Sequence, residues 1–141
     1  LKKKNVFFIN DSKATTFEAT KGCLMNYKNI IWILGGLQKQ GDNFNLEKIK
    51  KNILRAFIIG KNFSFFKRKI NKKINFTVTG NLKNTIKYIF YEIKQLKEYD
   101  RKNKIFVILS PASASYDQFK NFEERGNLFK KLINYNAKKY L

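Results

Sequence analysis

Three short apolar runs, residues 6–9, 30–34 and 105–109, are each followed at once by a polar or glycine-containing cluster, and this arrangement constrains the fold most. The clusters are Asn10-Asp11-Ser12-Lys13-Ala14-Thr15, Gly35-Gly36-Leu37-Gln38-Lys39 and Ser110-Pro111-Ala112-Ser113-Ala114-Ser115. Each run has the length and the β-branched or aromatic content of a buried strand. If the three strands lie parallel in one sheet, their carboxyl ends share one edge, which is where open α/β sheets bind ligands. The pattern predicts a crevice on which three polar loops converge.

The rest of the chain alternates in the same way. A helix is expected over 16–27, its Thr15-Thr16-Phe17-Glu18 start having capping-box spacing. A second follows the glycine loop at 46–54, then a strand at 56–59 ending at Gly60, a helix at 63–70, and a strand at 74–78. A helix over 82–99 carries Ile86, Ile89, Phe90, Ile93 and Leu96 at helical spacing, a stripe read as core. Asp100-Arg101-Lys102-Asn103-Lys104 reads as a charged turn. The terminal helix is expected at 123–135, with Lys138-Lys139-Tyr140-Leu141 as a frayed end. Strand–helix alternation with short connections predicts an α/β fold, a mainly parallel sheet with helices on both faces. The 141 residues fit one domain, 1–141, long enough to bury roughly two-thirds of its unfolded surface.

Several function classes drop out. The chain has no histidine, so Ser-His-Asp triads, histidine acid–base chemistry and most catalytic zinc sites are excluded within it. A single cysteine, Cys23, forms neither an internal disulfide nor a paired metal site, and reads as a small buried hydrophobe. No stretch approaches the roughly 20 apolar residues of a membrane span, and the start is too short in apolar residues for a signal peptide. A cytoplasmic protein without membrane association is expected. The first residue is Leu and the only methionine is Met25, so a piece of a longer polypeptide is expected.

The net charge of +20 invites a nucleic-acid reading, since basic surfaces attract phosphate. Arginine, however, the residue of bidentate phosphate and guanine recognition, is confined to Arg55, Arg68, Arg101 and Arg125. Lysines are spread along the chain, and Lys, Asn and Ile share A/T-rich codons. Compositional drift outweighs a functional basic face, and no nucleic-acid partner is expected.

Each loop admits a bland reading beside a functional one. Gly36 and Gly41 have the spacing of a phosphate-cradling loop, but Asp42-Asn43 stand where Lys and Ser/Thr are required. Gly35-Gly36 is then either a tight turn or a frame for Lys39, a cation aimed at an anion. Asn10 to Thr15 are either helix-start chemistry or a ligand site. The small third loop lets a ligand approach the backbone, and the helix start beyond it suits a carboxylate. There Glu123 and Glu124 complement the helix dipole, while Phe119 and Phe122 read as core.

Taken together, the three clusters resemble the C-terminal domain of the Mur ligase family, in its D-glutamate-adding branch. Asn10-Asp11-Ser12-Lys13-Ala14-Thr15 is similar to that family's hallmark segment, and Leu34-Gly35-Gly36 with Lys39 to its glycine loop. Ser110 to Ser115, followed by Asp117-Gln118-Phe119-Lys120-Asn121-Phe122-Glu123-Glu124-Arg125-Gly126, resembles its last motif almost without a break. The resemblance spans essentially the whole chain in the right order. It departs at Ser113, where the family carries Cys, at Thr16, where it carries Asn, and in the glycine loop, whose commoner version contains Asp.

The resemblance implies a Rossmann-like fold and a share in ATP-dependent amide formation during peptidoglycan synthesis. A carboxylate of UDP-N-acetylmuramoyl-L-alanine is activated as an acyl phosphate and attacked by the amine of D-glutamate, releasing phosphate and ADP. Thr15 and Lys39 are implied to bind the α-carboxylate of D-glutamate, and the Ser115 hydroxyl and Phe122 backbone amide its side-chain carboxylate. Asp11 is implied to contact the ATP ribose and Lys13 to lie near the nucleotide. The main ligands of ATP and Mg2+ and the UDP-sugar site are implied to belong to N-terminal and central domains. No catalytic or metal-binding residue is then expected here, and the segment alone is expected to be inactive. The competing readings are a stand-alone amino-acid or anion-binding module and, behind it, a basic nucleic-acid-binding domain.

Overall fold

A computed structural model describes residues 2–3, 5–95 and 102–140 of the chain. The strands are β1 (Lys2–Lys3), β2 (Val6–Asn10), β3 (Ile30–Leu34), β4 (Ile53–Ile59), β5 (Phe76–Gly80) and β6 (Ile105–Leu109). The helices are α1 (Phe17–Leu24), α2 (Phe63–Ile70), α3 (Leu82–Gln95) and α4 (Phe122–Tyr140). They build one sheet of order β1-β2-β6-β3-β4-β5. Strands β2 to β6 run parallel, and the two-residue β1 pairs antiparallel with β2 at the edge. This is the expected α/β, Rossmann-like sheet.

Strand β3 shows why the sheet forms. All five of its residues are buried, as a central parallel strand covered on both faces requires. Because successive side chains alternate, Ile30, Trp32 and Leu34 join one core with Phe17, Leu24, Phe66 and Ile70 of α1 and α2. Ile31 and Ile33 join the other, with Ile86, Ile89 and Phe90 of α3 and Phe129 and Ile133 of α4. Return of the chain from β5 through α3 puts β6 between β2 and β3, so the three loops predicted to converge leave adjacent strands.

Some expectations need correction. Residues 46–54 form no α-helix. A turn leads to a single 3-10 turn at Lys50–Asn52, and Ile53 already pairs with Ile30. Leu46, Ile49 and Ile53 have helical spacing and are buried, but the demand of β3 for a parallel neighbour draws Ile53 and Leu54 into the sheet. At α1 the cap is Thr16, not Thr15. The Thr16 hydroxyl accepts the Ala19 N–H at 3.2 Å, so Glu18 falls one position short of a capping box and pairs with Lys21 instead. Helix α4 runs through Lys138–Tyr140, which were expected to fray, because Asn136 and Ala137 are buried. The expected end of α3 at 96–99, with Leu96 of its stripe, lies outside the described residues, as do Asp100 and Arg101 of the charged turn and Leu141. Among the described residues no helix is long and apolar enough to cross a membrane.

Candidate functional site

Loop 1, after β2, is tied down from both ends. The Asp11 amide donates to Leu109 O at 2.8 Å, and Ala14 N–H turns back to Asp11 O at 3.0 Å. The Asp11 carboxylate accepts the Ser110 hydroxyl at 2.7 Å, and Ser110 Oγ lies 3.0 Å from Thr20 Oγ1. One Asp11 oxygen is thus committed to loop 3. Lys13 is exposed and makes no ion pair among the described residues. Thr15 is half-buried, and its hydroxyl bonds to none of the described residues.

The glycine loop after β3 lies directly on loop 3. Gly35 N–H donates to Pro111 O at 3.0 Å, and Leu37 and Ala114 exchange both backbone hydrogen bonds at 2.9 Å. A Cβ on Gly35 would sit 2.0 Å from Ile59 O, and Gly35 and Gly36 have φ of +120° and +139°. The turn therefore requires glycine at both positions, whatever the role of Lys39 beyond it. Beyond them Lys39 is exposed on the rim, without an ion pair among the described residues. Asp42, in the position that disqualified a triphosphate loop, accepts the Phe17 N–H at 2.7 Å. The glycine loop therefore also holds the start of α1.

Loop 3 crosses the sheet edge, its residues 110–115 almost wholly buried and the rest exposed or half-buried. Ser115 is 3% exposed, and its hydroxyl bonds to none of the described residues. Asp117 accepts the Lys61 N–H at 3.0 Å, and Gln118 Nε2 donates to Gly80 O at 2.9 Å, strapping the loop over β4 and β5. The chain then enters α4 at Phe122. The Asn121 side chain accepts Glu124 N–H at 2.8 Å, and Glu124 accepts Lys120 N–H at 3.2 Å. Glu123 and Glu124 both lie in the first turn of α4, and Glu124 bonds there to Lys120 and Asn121. The Phe119 ring packs on the core, but Phe122 is 39% exposed, at the first residue of α4. The backbone N–H of Phe122 is among the first-turn donors a helix cannot satisfy internally.

The three loops thus share one edge, with Thr15, Lys39 and Ser115 on separate loops and the Phe122 amide at the head of α4. A cavity of about 310 Å3 opens beside it, lined by Asn10, Ser12, Lys13, Phe122, Gly126 and Lys130. No family model matches the chain. It is, however, 40% identical over 126 residues to the UDP-N-acetylmuramoylalanine–D-glutamate ligase of Wolbachia sp. subsp. Brugia malayi (strain TRS), covering 89% of this chain and 24% of that protein. The enzyme of the same name from Wolbachia pipientis wMel is 38% identical over 126 residues, again 89% and 24%. That of Rhizobium meliloti (strain 1021) is 37% identical over 128 residues, 91% and 27%. The chain belongs to the Mur ligase family. It spans about a quarter of the length of these relatives.

Within this Mur ligase segment the residue that reading the sequence missed is Arg125, quoted in the last motif without a role. It is 1% exposed. Nε donates to Ser12 Oγ at 2.9 Å, Nη2 to Ser12 O at 2.6 Å and Nη1 to Ser113 O at 3.0 Å. Burial lowers its pKa from 12.5 to about 10, against a smaller upward pull from Asp117, so it is protonated at neutral pH. Its partners are backbone and hydroxyl oxygens, and an arginine beside two glutamates at a helix start looks like surface in the sequence. Cys23 is half-buried against the α1 core, and burial, with a smaller contribution from Asp11, pushes its thiol up to about 12.

The donor set bears unevenly on ATP and Mg2+. Asp11 offers a carboxylate at the crevice and Lys13 a cation without an ion pair among the described residues, which suit a ribose hydroxyl and a phosphate. No group of three His, Cys, Asp or Glu side chains gathers among the described residues, so they offer a divalent cation no multidentate seat.

Proposed function

We propose that this chain is the C-terminal, amino-acid-binding domain of an ATP-dependent ligase that joins D-glutamate to UDP-N-acetylmuramoyl-L-alanine in cytoplasmic peptidoglycan synthesis. The observation that carries the reading is the convergence of Thr15, Lys39, Ser115 and the Phe122 amide on one sheet edge, in a chain related to D-glutamate ligases. D-Glutamate is a dianion whose two carboxylates need separate seats. Lys39 and Thr15, on the outer two loops, take the α-carboxylate. The Ser115 hydroxyl and the Phe122 amide take the side-chain carboxylate, the amide with the help of the helix dipole. Holding both carboxylates fixes the amine and the chirality of the α-carbon, and that positioning is this domain's share of the rate.

ATP supplies the phosphoryl group that turns the carboxylate of the UDP-linked substrate into an acyl phosphate. Asp11 orients the ribose, and Lys13 lies near the nucleotide. The remaining nucleotide, Mg2+ and UDP-sugar contacts belong to N-terminal and central domains, and closure of this domain onto the central one completes the site. The amine held here attacks the acyl carbon, the tetrahedral intermediate expels inorganic phosphate, and an amide remains.

The test is phosphate release by the complete gene product with UDP-N-acetylmuramoyl-L-alanine, ATP and Mg2+, comparing D-glutamate with L-glutamate, L-lysine and meso-diaminopimelate. Turnover restricted to D-glutamate supports the reading. Turnover with a different amino acid overturns the assignment of both carboxylate seats.

A further inference from the structure

We propose that Arg125 is a positioning residue for amino-acid binding, a single buried guanidinium that sets the spacing between loops 1 and 3. The proposal rests on the D-glutamate reading given above. Three of its nitrogens are engaged at once, two of them on Ser12 of loop 1 and one on the Ser113 carbonyl of loop 3. The Ser12 hydroxyl accepts from Nε and donates its own O–H to Phe122 O at 2.7 Å. One planar fork therefore connects a residue three before Thr15, a residue two before Ser115, and the carbonyl of Phe122, whose amide is the fourth seat. Lys39 is coupled indirectly, because Leu37 is bridged to Ala114, next to Ser113.

The chemistry of this strut argues against mere packing. A buried charge is expensive unless paired, and an apolar group of the same size is often as stabilising or more so. Arg125 forms no ion pair among the described residues; its partners are neutral oxygens. A cation kept in that state, at the root of two loops that would hold a dianion, favours an anionic occupant. Its rigid fork fixes the loops at one separation, which a lysine's single flexible ammonium does not reproduce.

The experiment uses the complete gene product and measures KM for D-glutamate, for ATP and for the UDP-linked substrate, together with kcat and the melting temperature. Arg125→Lys keeps the charge and removes the fork; its KM for D-glutamate should rise on the order of tenfold or more, with the other two KM values unchanged. Ser12→Ala keeps both Arg125-to-carbonyl bonds and removes only the relay to Phe122. It should raise the same KM by less, and the double variant should be no worse than Arg125→Lys alone, because the two act as one unit. A role in stability alone would instead lower the melting temperature and the active fraction while leaving every KM in place. That result, or an equal rise in all three KM values, overturns the proposal. If Arg125→Lys fails to fold, Ser12→Ala decides: an unchanged KM for D-glutamate overturns the proposal and a selective rise upholds it. Absence of D-glutamate turnover in the parent enzyme overturns the underlying reading, and this proposal with it. Parent turnover beside unaltered variants overturns this proposal alone.

Discussion

Leu37 and Ala114 are antiparallel bridge partners, the amide of each donating to the carbonyl of the other at 2.9 Å. The glycine loop and loop 3 therefore behave as one zipped layer over the carboxyl ends of β3 and β6. Lys39 lies two residues beyond one side of the bridge and Ser115 one residue beyond the other, so the zipper limits how far apart they can stand. The approach depends on Gly36, where a Cβ would fall 2.3 Å from Ala114 O and 2.8 Å from Ser113 Oγ at a φ of +139°.

Gly36→Ala should accordingly unzip the layer or strain it. A loss of about 1–3 kcal/mol in folding free energy is expected from the backbone conformation alone. Trp32 provides the readout, since its indole is fully buried and donates to Ser110 O at 2.8 Å, at the root of loop 3. A urea titration followed by Trp32 fluorescence should show an earlier midpoint. An unmoved midpoint would mean that the loops part without cost and that the bridge does not organise the site.

Asp42→Ala addresses the second attachment of the glycine loop. Asp42 is remote in sequence from α1 yet caps it by accepting the Phe17 N–H at 2.7 Å. Losing a carboxylate at a helix start costs about 1 kcal/mol, and the melting temperature should fall while the two cores stay intact. Asp42→Asn, which retains an oxygen acceptor, should restore most of the loss. Equal losses in both variants would assign the effect to charge rather than to the cap.

How much of this was legible follows from where each residue gets its partners. Residues 30–34 and 105–109 were readable as strands to the residue, because a central parallel strand must be apolar on both faces. The crevice followed from the polar loops alone, before any resemblance. Residues 46–54 were misread because Leu46, Ile49 and Ile53 satisfy helical spacing while β-pairing to Ile30 decides the outcome. Asp42 and Arg125 escaped for one shared reason. Apart from the Ser12 hydroxyl, their partners are backbone groups of residues 25 and 12 or more positions away, and no side-chain pattern encodes a distant carbonyl or amide. Phe122 was misjudged as core because an aromatic side chain usually packs inward, whereas here it heads the first turn of α4 and is exposed. The separate roles proposed for Thr15, Lys39 and Ser115 rest on the resemblance, since composition alone does not distinguish a carboxylate seat from a turn.

Cys23 gives a pH-dependent prediction. Its thiol is raised from 9.0 to about 12, first by burial and then by Asp11. A raised folded-state value means the native protein keeps a proton that the unfolded chain releases. The associated stability is complete below about pH 9 and is lost as pH rises towards 12. The relevant quantity is the difference between the parent and Cys23→Ala. The parent's alkaline stability should decline more steeply than the variant's. Iodoacetamide at mildly alkaline pH should also alkylate Cys23 far more slowly in the folded chain than in denaturant. Equal alkylation rates would place the thiol in solvent and remove both expectations.

Lys39 and Ser115 make a paired prediction, because they differ in burial while sharing the proposed ligand. Lys39 is exposed and without an ion pair among the described residues, so Lys39→Ala should change folding stability by no more than about 0.5 kcal/mol. As the cation assigned to the α-carboxylate, it should nevertheless raise the KM for D-glutamate sharply in the complete enzyme. Ser115 is buried, and its hydroxyl has no partner among the described residues. If it makes the proposed hydrogen bond to the side-chain carboxylate, Ser115→Ala should cost on the order of 1.5–3 kcal/mol of D-glutamate binding. Since no protein partner is orphaned, that cost should come with little change in melting temperature. The discriminating measurement is D-glutamate KM beside ATP KM for both variants. A selective rise for D-glutamate in each keeps the two carboxylate seats on opposite sides of the Leu37–Ala114 bridge. An unchanged KM in Lys39→Ala removes that residue from the site, and a loss confined to ATP in Ser115→Ala moves loop 3 from the amino acid to the nucleotide.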